Sequence, residues 1–337
     1  MNSGALRSIL FGLILFLFPV ITSAQDTTGQ VKVLVRVYED NDGIKVGGKV
    51  ADGGYTNGTR LDVFYVNKRK PRFLLDRLAP GLGDSTVYNS SWGIFQVMIT
   101  PLSVGMPAYK PTDYPYSGAI TAHHAVYAFH PRKKEGFHTE WVLGVMGPAS
   151  LARQTQEMIH GWFGFTTPRG WDYQYQNDLL FNYNLTYEKQ LTHLERGFEL
   201  IGGARINAGT MLNAIEAHAL MRTGSMMPYF NGLIGQYANK KLSQFYLTAR
   251  PSVQYVVYNS LLQGGLFADD VVVEPAVREA AGNLSRSPMK KVLADVDISF
   301  VFSFKQFTLS CSQKFCTKEF EELPAQNVGN ISLYLGF

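Results

Sequence analysis

Short runs in which apolar and polar residues alternate recur along almost the whole of this 337-residue chain. From Val31 to Val37 the valines fall on one face, and Leu61, Val63 and Tyr65 alternate with Asp62 and Phe64. Trp141, Leu143 and Val145 repeat the pattern, as does Leu179 to Tyr187 against Asn182, Asn184 and Thr186. Phe245 to Thr248, Val253 to Tyr258, Val296 to Phe304 and Ile331 to Phe337 continue it to the last residue. A period of two is the signature of a strand with two different faces. Backbone polar groups inside a bilayer must pair internally, so a chain without long apolar helices can span one only as a closed barrel.

The N-terminus reads as an export signal. Arg7 gives the positive flank, Ile9 to Ile21 the apolar stretch, and Thr22-Ser23-Ala24 small residues at −3 and −1, which predicts cleavage after Ala24. Residues 25–337 then form one domain, with no linker or internal repeat longer than a hairpin. Beyond the leader no run of about 18 apolar residues exists, which excludes a helical membrane protein. A net charge of +4 is too small for a nucleic-acid footprint. Strands of about 10 residues ended by Tyr, Phe and Trp match a transmembrane barrel rather than a secreted sandwich. The predicted fold is all-β, a closed up-and-down barrel of about 12 antiparallel strands with one short helix on the outer rim.

Cys311 and Cys316 lie on one alternating run, five residues apart. On a strand their Cα atoms would be about 16 Å apart, whereas a disulfide needs roughly 7 Å or less. Two free thiols are expected.

Laying strands on the chain with a periplasmic N-terminus gives Val31–Tyr38, Thr59–Val66, Trp92–Ile99, Ala119–His130 and His138–Met146 in up-and-down order. The connections Glu39–Tyr55, Pro101–Tyr116 and Gly147–Trp171 then share the outer rim, with catalytic loops expected in 39–58 and 147–171. The last connection holds the predicted helix, Ala149–His160, with Gly161 as its stop. The basic runs Asn67-Lys68-Arg69-Lys70-Pro71-Arg72 and Arg132-Lys133-Lys134 fall at the opposite end and read as solvated turns.

Three rim segments carry polar residues that alternation leaves unexplained. Glu39-Asp40-Asn41-Asp42 offers carboxylates and an amide, suited to a hard cation such as Ca²⁺. Tyr55-Thr56-Asn57-Gly58 offers a hydroxyl beside a turn glycine. Gln156 and His160, four apart, lie on one helix face. An imidazole there can draw a proton from water, while a bound cation and the Thr56 hydroxyl complete a hydrolytic set. No Gly-x-Ser-x-Gly elbow offers a serine nucleophile instead.

At these residues the sequence resembles the LpxR-type lipid A 3′-O-deacylase family of outer membranes. The likeness runs to about Asp178 and rests on Asn41-Asp42, Tyr55-Thr56-Asn57-Gly58, Asp113-Tyr114-Pro115-Tyr116-Ser117-Gly118, Gly147-Pro148-Ala149, Gln156-x-x-x-His160 and Pro168-Arg169-Gly170-Trp171. Tyr114 stands where the family has Arg, and the family's Lys-Arg pair in the outer loop has no counterpart. The resemblance implies Ca²⁺-dependent removal of the 3′ acyloxyacyl chains of lipid A by a mechanism similar to that of secreted phospholipase A2. It makes His160 the base, Gln156 its neighbour in the site and Thr56 a hydroxyl of the pocket. The family's Asn-Asp pair corresponds to Asn41-Asp42, with Asp42 holding the cation; Asp40-Asn41 also fits, which keeps Asp40 as a second candidate ligand. Lipopolysaccharide is the implied substrate, and the implied form is a membrane-embedded monomer. The competing readings are a porin-like or structural barrel and an adhesin with long outer loops.

Overall fold

The computed structural model describes residues 31–44, 53–71, 73–106, 109–192, 197–239, 242–268, 271, 274–280 and 287–337. The expected leader and its cleavage site at Ala24, like Arg72, lie outside the described residues. Twelve strands are β1 (Val33–Asn41), β2 (Gly54–Asn67), β3 (Val87–Thr100), β4 (Ser117–His130), β5 (Glu135–Met146) and β6 (Asp178–Thr192), then β7 (Phe198–Gly209), β8 (Leu212–Ser225), β9 (Gln244–Asn259), β10 (Val292–Phe304), β11 (Phe307–Cys316) and β12 (Asn327–Gly336). Each pairs antiparallel with its sequence neighbour, and β12 returns to β1 in the register Leu34↔Gly336 to close the barrel. Closure removes every edge, which is what a lipid environment demands.

The strands overrun the alternating segments because the hydrogen-bonded ladder continues past the apolar band. The two runs at Phe245–Thr248 and Val253–Tyr258 belong to one strand, β9, despite Pro251 between them. The β8–β9 register runs unshifted from His218↔Ser252 to Met221↔Ala249, and the ladder pairs between them are missing at Pro251, which has no N–H to give. Cys311 and Cys316 stand on β11 as free thiols, as expected.

Alternation sorts the two faces. Arg36, Asp62, His123 and Glu140 turn into the lumen: Asp62, fully buried, accepts from Arg36 (2.6 Å) and Arg60 (2.9 Å), while Glu140 takes Arg60 and His123 (both 3.0 Å) and Asn184 (3.0 Å). A second group joins Glu188, His218, Glu216 and Arg250. Buried charges persist only when paired in this way.

Both mouths are closed by apolar clusters. At one end the β8–β9 connection enters the barrel as a helical turn (Tyr229–Asn231) and a short helix (Leu233–Tyr237). Phe230 packs on Phe129 and Ile201, Ile234 packs with Leu34 and Phe64, and Tyr237 stacks on Tyr334 at 4.2 Å. At the other end Val97, Ile99, Tyr114, Tyr175, Leu262 and Phe320 form a single cluster. The longest connections, 147–177 and 260–291, emerge at this second end, which marks it as the outer one.

Candidate active site

The outer rim carries a helix on the outside of the wall. α1 spans Ala152–Phe163, three residues later than the sequence signals suggest, after a helical turn at Pro148–Ser150. Leu151, left-handed at φ 59°, separates the two. Gly161 does not stop the helix, since an interior glycine costs only about 1 kcal/mol. Gly164, at φ 69°, does: its N–H reaches the His160 carbonyl in the left-handed conformation glycine tolerates.

α1 rests on the outward face of β3 and β4. Phe95 and His123 pack edge to face in the lumen, so their sequence neighbours Gln96 and Gly118, one and five residues away, face outward. Gln96 donates to the Ser150 carbonyl at 2.7 Å. Gly118 lies so close to α1 that a Cβ there would sit 2.3 Å from Ala152 Cβ. Met98 and Ala152 form one apolar cluster with Tyr116 and Trp171. The buried residues of α1 are Ala152, Gln156 and His160, one every four positions, so both predicted polar residues face the wall. Gln156 is 3% and His160 6% exposed. The other side of the helix shows Met158 and Trp162 to the bilayer side, with Phe165 following.

Each polar side chain in this crevice is held. Trp171 Nε1 donates to Gln156 Oε1 at 2.7 Å, while Gln156 Nε2 is buried with no partner among the described residues. His160 Nδ1 meets the Thr166 carbonyl oxygen at 2.5 Å. A carbonyl only accepts, so Nδ1 carries the proton and Nε2 becomes the basic nitrogen. Arg153 on the same helix bonds Glu157 (2.9 Å) and Asp172 (2.7 Å), and these partners raise the guanidinium further above its ordinary value.

Thr56 is the extra residue of a bulge in β2, where the pairing with β3 jumps from Tyr55↔Ile99 to Asn57↔Met98. Bulges re-aim a side chain locally. Here the buried Thr56 hydroxyl meets that of Thr100 at 2.6 Å. Thr100 shares the outward parity of Met98, so Thr56 belongs to the same exterior face as α1, one strand away.

The acidic segment divides between two faces. Asp40 points into the lumen, where its carboxylate accepts from the hydroxyls of Tyr38 and Tyr55, the latter at 3.2 Å. Asn41, one residue on, has the outward parity, and its Oδ1 accepts from Gly43 N at 2.7 Å. Asp42 begins a helical turn (Asp42–Ile44), is 2% exposed and accepts from Gly53 N at 3.1 Å. The structure thus brings Asn41, Thr56, Gln156 and His160 to one exterior rim, with Asp42 at its edge, and sets Asp40 on the opposite face. Among the described residues no three His, Cys, Asp or Glu side chains form a metal cluster. The hard oxygens of Asn41 and Asp42 still suit Ca²⁺, which completes its shell with amide and backbone carbonyls and water.

Trp171, Thr100 and Gly118 are the supporting residues whose roles sequence reasoning missed. Two of them lay in quoted motifs: Trp171 orients Gln156, and Gly118 admits the helix. Gly170 has a similar task, because a Cβ there would run into the Tyr116 ring.

No curated protein matches the sequence. Among solved structures, LpxR from Salmonella typhimurium superimposes with a TM-score of 0.68 at 15% identity, covering 90% of this chain and 100% of that one. An outer membrane channel from Pseudomonas putida F1 gives 0.42 at 8% identity, covering 94% of this chain and 100% of the other. The β domain of the Bordetella autotransporter BrkA also gives 0.42, at 7% identity over 91% of this chain and 99% of that one. The likeness to the Salmonella barrel is one of fold. A family model described as outer membrane protein LpxR matches residues 9–337, and with that span the chain belongs to the LpxR family of outer membrane proteins.

Proposed function

We propose that this protein is a lipid A 3′-O-deacylase-like esterase that hydrolyses an acyl ester of lipid A in the outer leaflet. The observation that carries this reading is the placement of α1 on the outside of the wall. Its two buried polar residues face the wall on the exterior side to which strand parity also assigns Thr56 and Asn41. A lipid substrate reaches such a crevice sideways from the bilayer; a lumenal solute does not. Family membership supports the same substrate class.

In the proposed chemistry His160 Nε2 takes a proton from water, and the resulting hydroxide bonds to the ester carbonyl carbon. Gln156 Nε2, a buried donor with no partner among the described residues, offers its N–H to the developing oxyanion. Collapse breaks the bond to the sugar oxygen, which recovers the proton from His160 as the free acid is released. The Thr56 hydroxyl, fixed by Thr100, helps to hold the water or the ester. When bound by Asn41 and Asp42, Ca²⁺ supplies Lewis-acid polarisation of the ester carbonyl. A porin-like role has the paired charges of the lumen and the two apolar closures against it. The test is mass spectrometry of lipid A from cells carrying the wild-type protein, His160→Ala or no protein. Loss of a 3′ acyl chain only with the wild type supports the reading; identical lipid A in all three removes it.

A further inference from the structure

We propose that residues 68–71 and 73–86, together with the turn 131–134, form a collar that binds the headgroups of anionic phospholipids in the periplasmic leaflet. The inference concerns the end of the barrel remote from α1 and does not depend on the deacylase reading.

Trp92, His124, Trp141 and Tyr183 are direct register partners across β3, β4, β5 and β6. His123 faces the lumen, so His124 and its row face outward. The β2–β3 connection does not hang free below this row but folds up over it as a strap. Phe73 packs edge to face on Trp92 (6.2 Å) and His124 (5.7 Å). Asp76, within the helical turn Leu74–Leu78, meets His124 Nε2 at 2.8 Å. The Leu75 and Leu78 carbonyls accept from Trp141 Nε1 (3.2 Å) and the Tyr183 hydroxyl (3.3 Å). The strap is therefore fixed to the lipid-facing wall at an aromatic row, where such rows mark the level of the headgroups.

The strap also joins the two basic runs that look unrelated in the sequence. Lys133 Nζ donates to the Leu82 carbonyl at 3.0 Å, which ties the β4–β5 turn to the strap. Lys68, Arg69, Lys70, Arg77, Arg132 and Lys133 are all exposed around it. Asp76 is buried and taken by His124. Asp84, exposed, and Glu135, 3.9 Å from Lys133, are the opposing carboxylates. Beside the cations Phe73 is 52% and Leu78 61% exposed. Apolar side chains next to a surplus of cations, at interface height on a lipid-facing wall, match a phosphate headgroup with its acyl chains below. Lipid A carries phosphates too, but it belongs to the leaflet at the other end of the barrel.

The test uses the full-length protein in neutral detergent and native mass spectrometry with added phosphatidylglycerol, phosphatidylethanolamine or lipid A. Wild type should retain phosphatidylglycerol over phosphatidylethanolamine. Each cation contributes about fivefold at low salt. The triple variant Lys68→Glu, Arg69→Glu, Lys133→Glu should lose at least about tenfold of that retention on the same scale. Lys68→Arg with Lys133→Arg should keep it. If the triple variant does not fold, Lys68→Gln with Lys133→Gln supplies the reading, with a smaller loss expected. Equal retention of the two phospholipids, no response to charge reversal, or a loss in the arginine variant would each overturn the proposal. Retention of lipid A that falls in parallel in the same variants would overturn the assignment to the periplasmic leaflet.

Discussion

Trp171 donates its indole N–H to Oε1 of Gln156 over 2.7 Å, and that bond decides which end of the amide faces where. An indole nitrogen can only donate, so the atom opposite it must be the amide oxygen. Nε2 is then a buried donor without a partner among the described residues. Leaving such a group unsatisfied costs about 1–3 kcal/mol, which is reasonable for a donor kept for a substrate oxygen. Gln156→Ala should therefore lower kcat by about 10²–10³. Trp171→Phe keeps the ring but loses the orienting bond and should lower kcat by about 10- to 100-fold. Steady-state deacylation assays in detergent read both; an unchanged kcat in Trp171→Phe removes the orienting role.

His160 and Asp42 should fail in different ways. General-base assistance contributes about 10²–10⁴-fold, so His160→Ala should lose activity on that scale at any Ca²⁺ concentration. Asp42→Ala should weaken the proposed cation site while leaving its other oxygens, so raised Ca²⁺ should restore part of its activity. Chelation should silence the wild type reversibly. Calcium titrations of the three proteins give the answer, and parallel responses from both variants would sink this division of labour.

Gly118→Val should separate helix from barrel. A Cβ there meets Ala152 Cβ at 2.3 Å and Ser150 Oγ at 2.7 Å, so α1 must lift from the wall. The ladder of β4 needs no change for this, and the barrel should still run as a heat-modifiable band on gels. Deacylation should drop at least about tenfold, because a displacement of about 1 Å at a positioned group can cost 10²-fold. Full activity in this variant would mean that α1 does not have to rest against Gly118.

The barrel was legible because lipid imposes one pattern on every strand, and residues such as Leu61, Ile94 and Leu179 carry it in plain view. The rim was legible in part, since Gln156 and His160 obey helical spacing wherever the helix begins. The pairs Asp40-Asn41 and Asn41-Asp42 could not be told apart by composition. Only the strand parity, Asp40 to Tyr55 inside and Asn41 outside, separates them. The closing segment at Tyr229–Tyr237 left no signal, because five helical residues are too few for a period to show. The Thr56 bulge was equally silent, being a mismatch between two strands and not a property of either.

A filled lumen makes a prediction of its own. Asp62 and Glu140 bind Arg36, Arg60 and His123 across the interior, and Phe230 and Ile234 close the periplasmic mouth. Reconstituted into planar bilayers, the protein should show no steady conductance. Replacing residues 226–243 with a short turn should open one mouth only and leave the bilayer silent. Porin-like steps from the wild type would contradict the packed lumen.

Glu319 sets a pH dependence on the outer cap. It lies in the connection 317–326, where burial pushes its carboxyl from 4.5 up to about 7, with Tyr114 and Lys314 offsetting part of the rise. Next to it Phe320 packs edge to face with Tyr114 at 5.5 Å, within the apolar cluster that closes the outer mouth. A carboxyl raised in the folded state binds more protons folded than unfolded over the interval between its two values. Stability is then complete below about 4.5, falls as the pH climbs toward about 7, and levels off above it. The cap should open more often at pH 8 than at pH 5.5, while the strands beneath it, held by their ladders, should not follow. Amide exchange of 317–326, corrected for the intrinsic rate at each pH, measures that opening directly. Glu319→Gln cannot ionise and should hold the cap at its low-pH protection at both values. Greater protection of the wild type at pH 8, or the same pH response in the glutamine variant, would show that this carboxyl is not what the cap responds to.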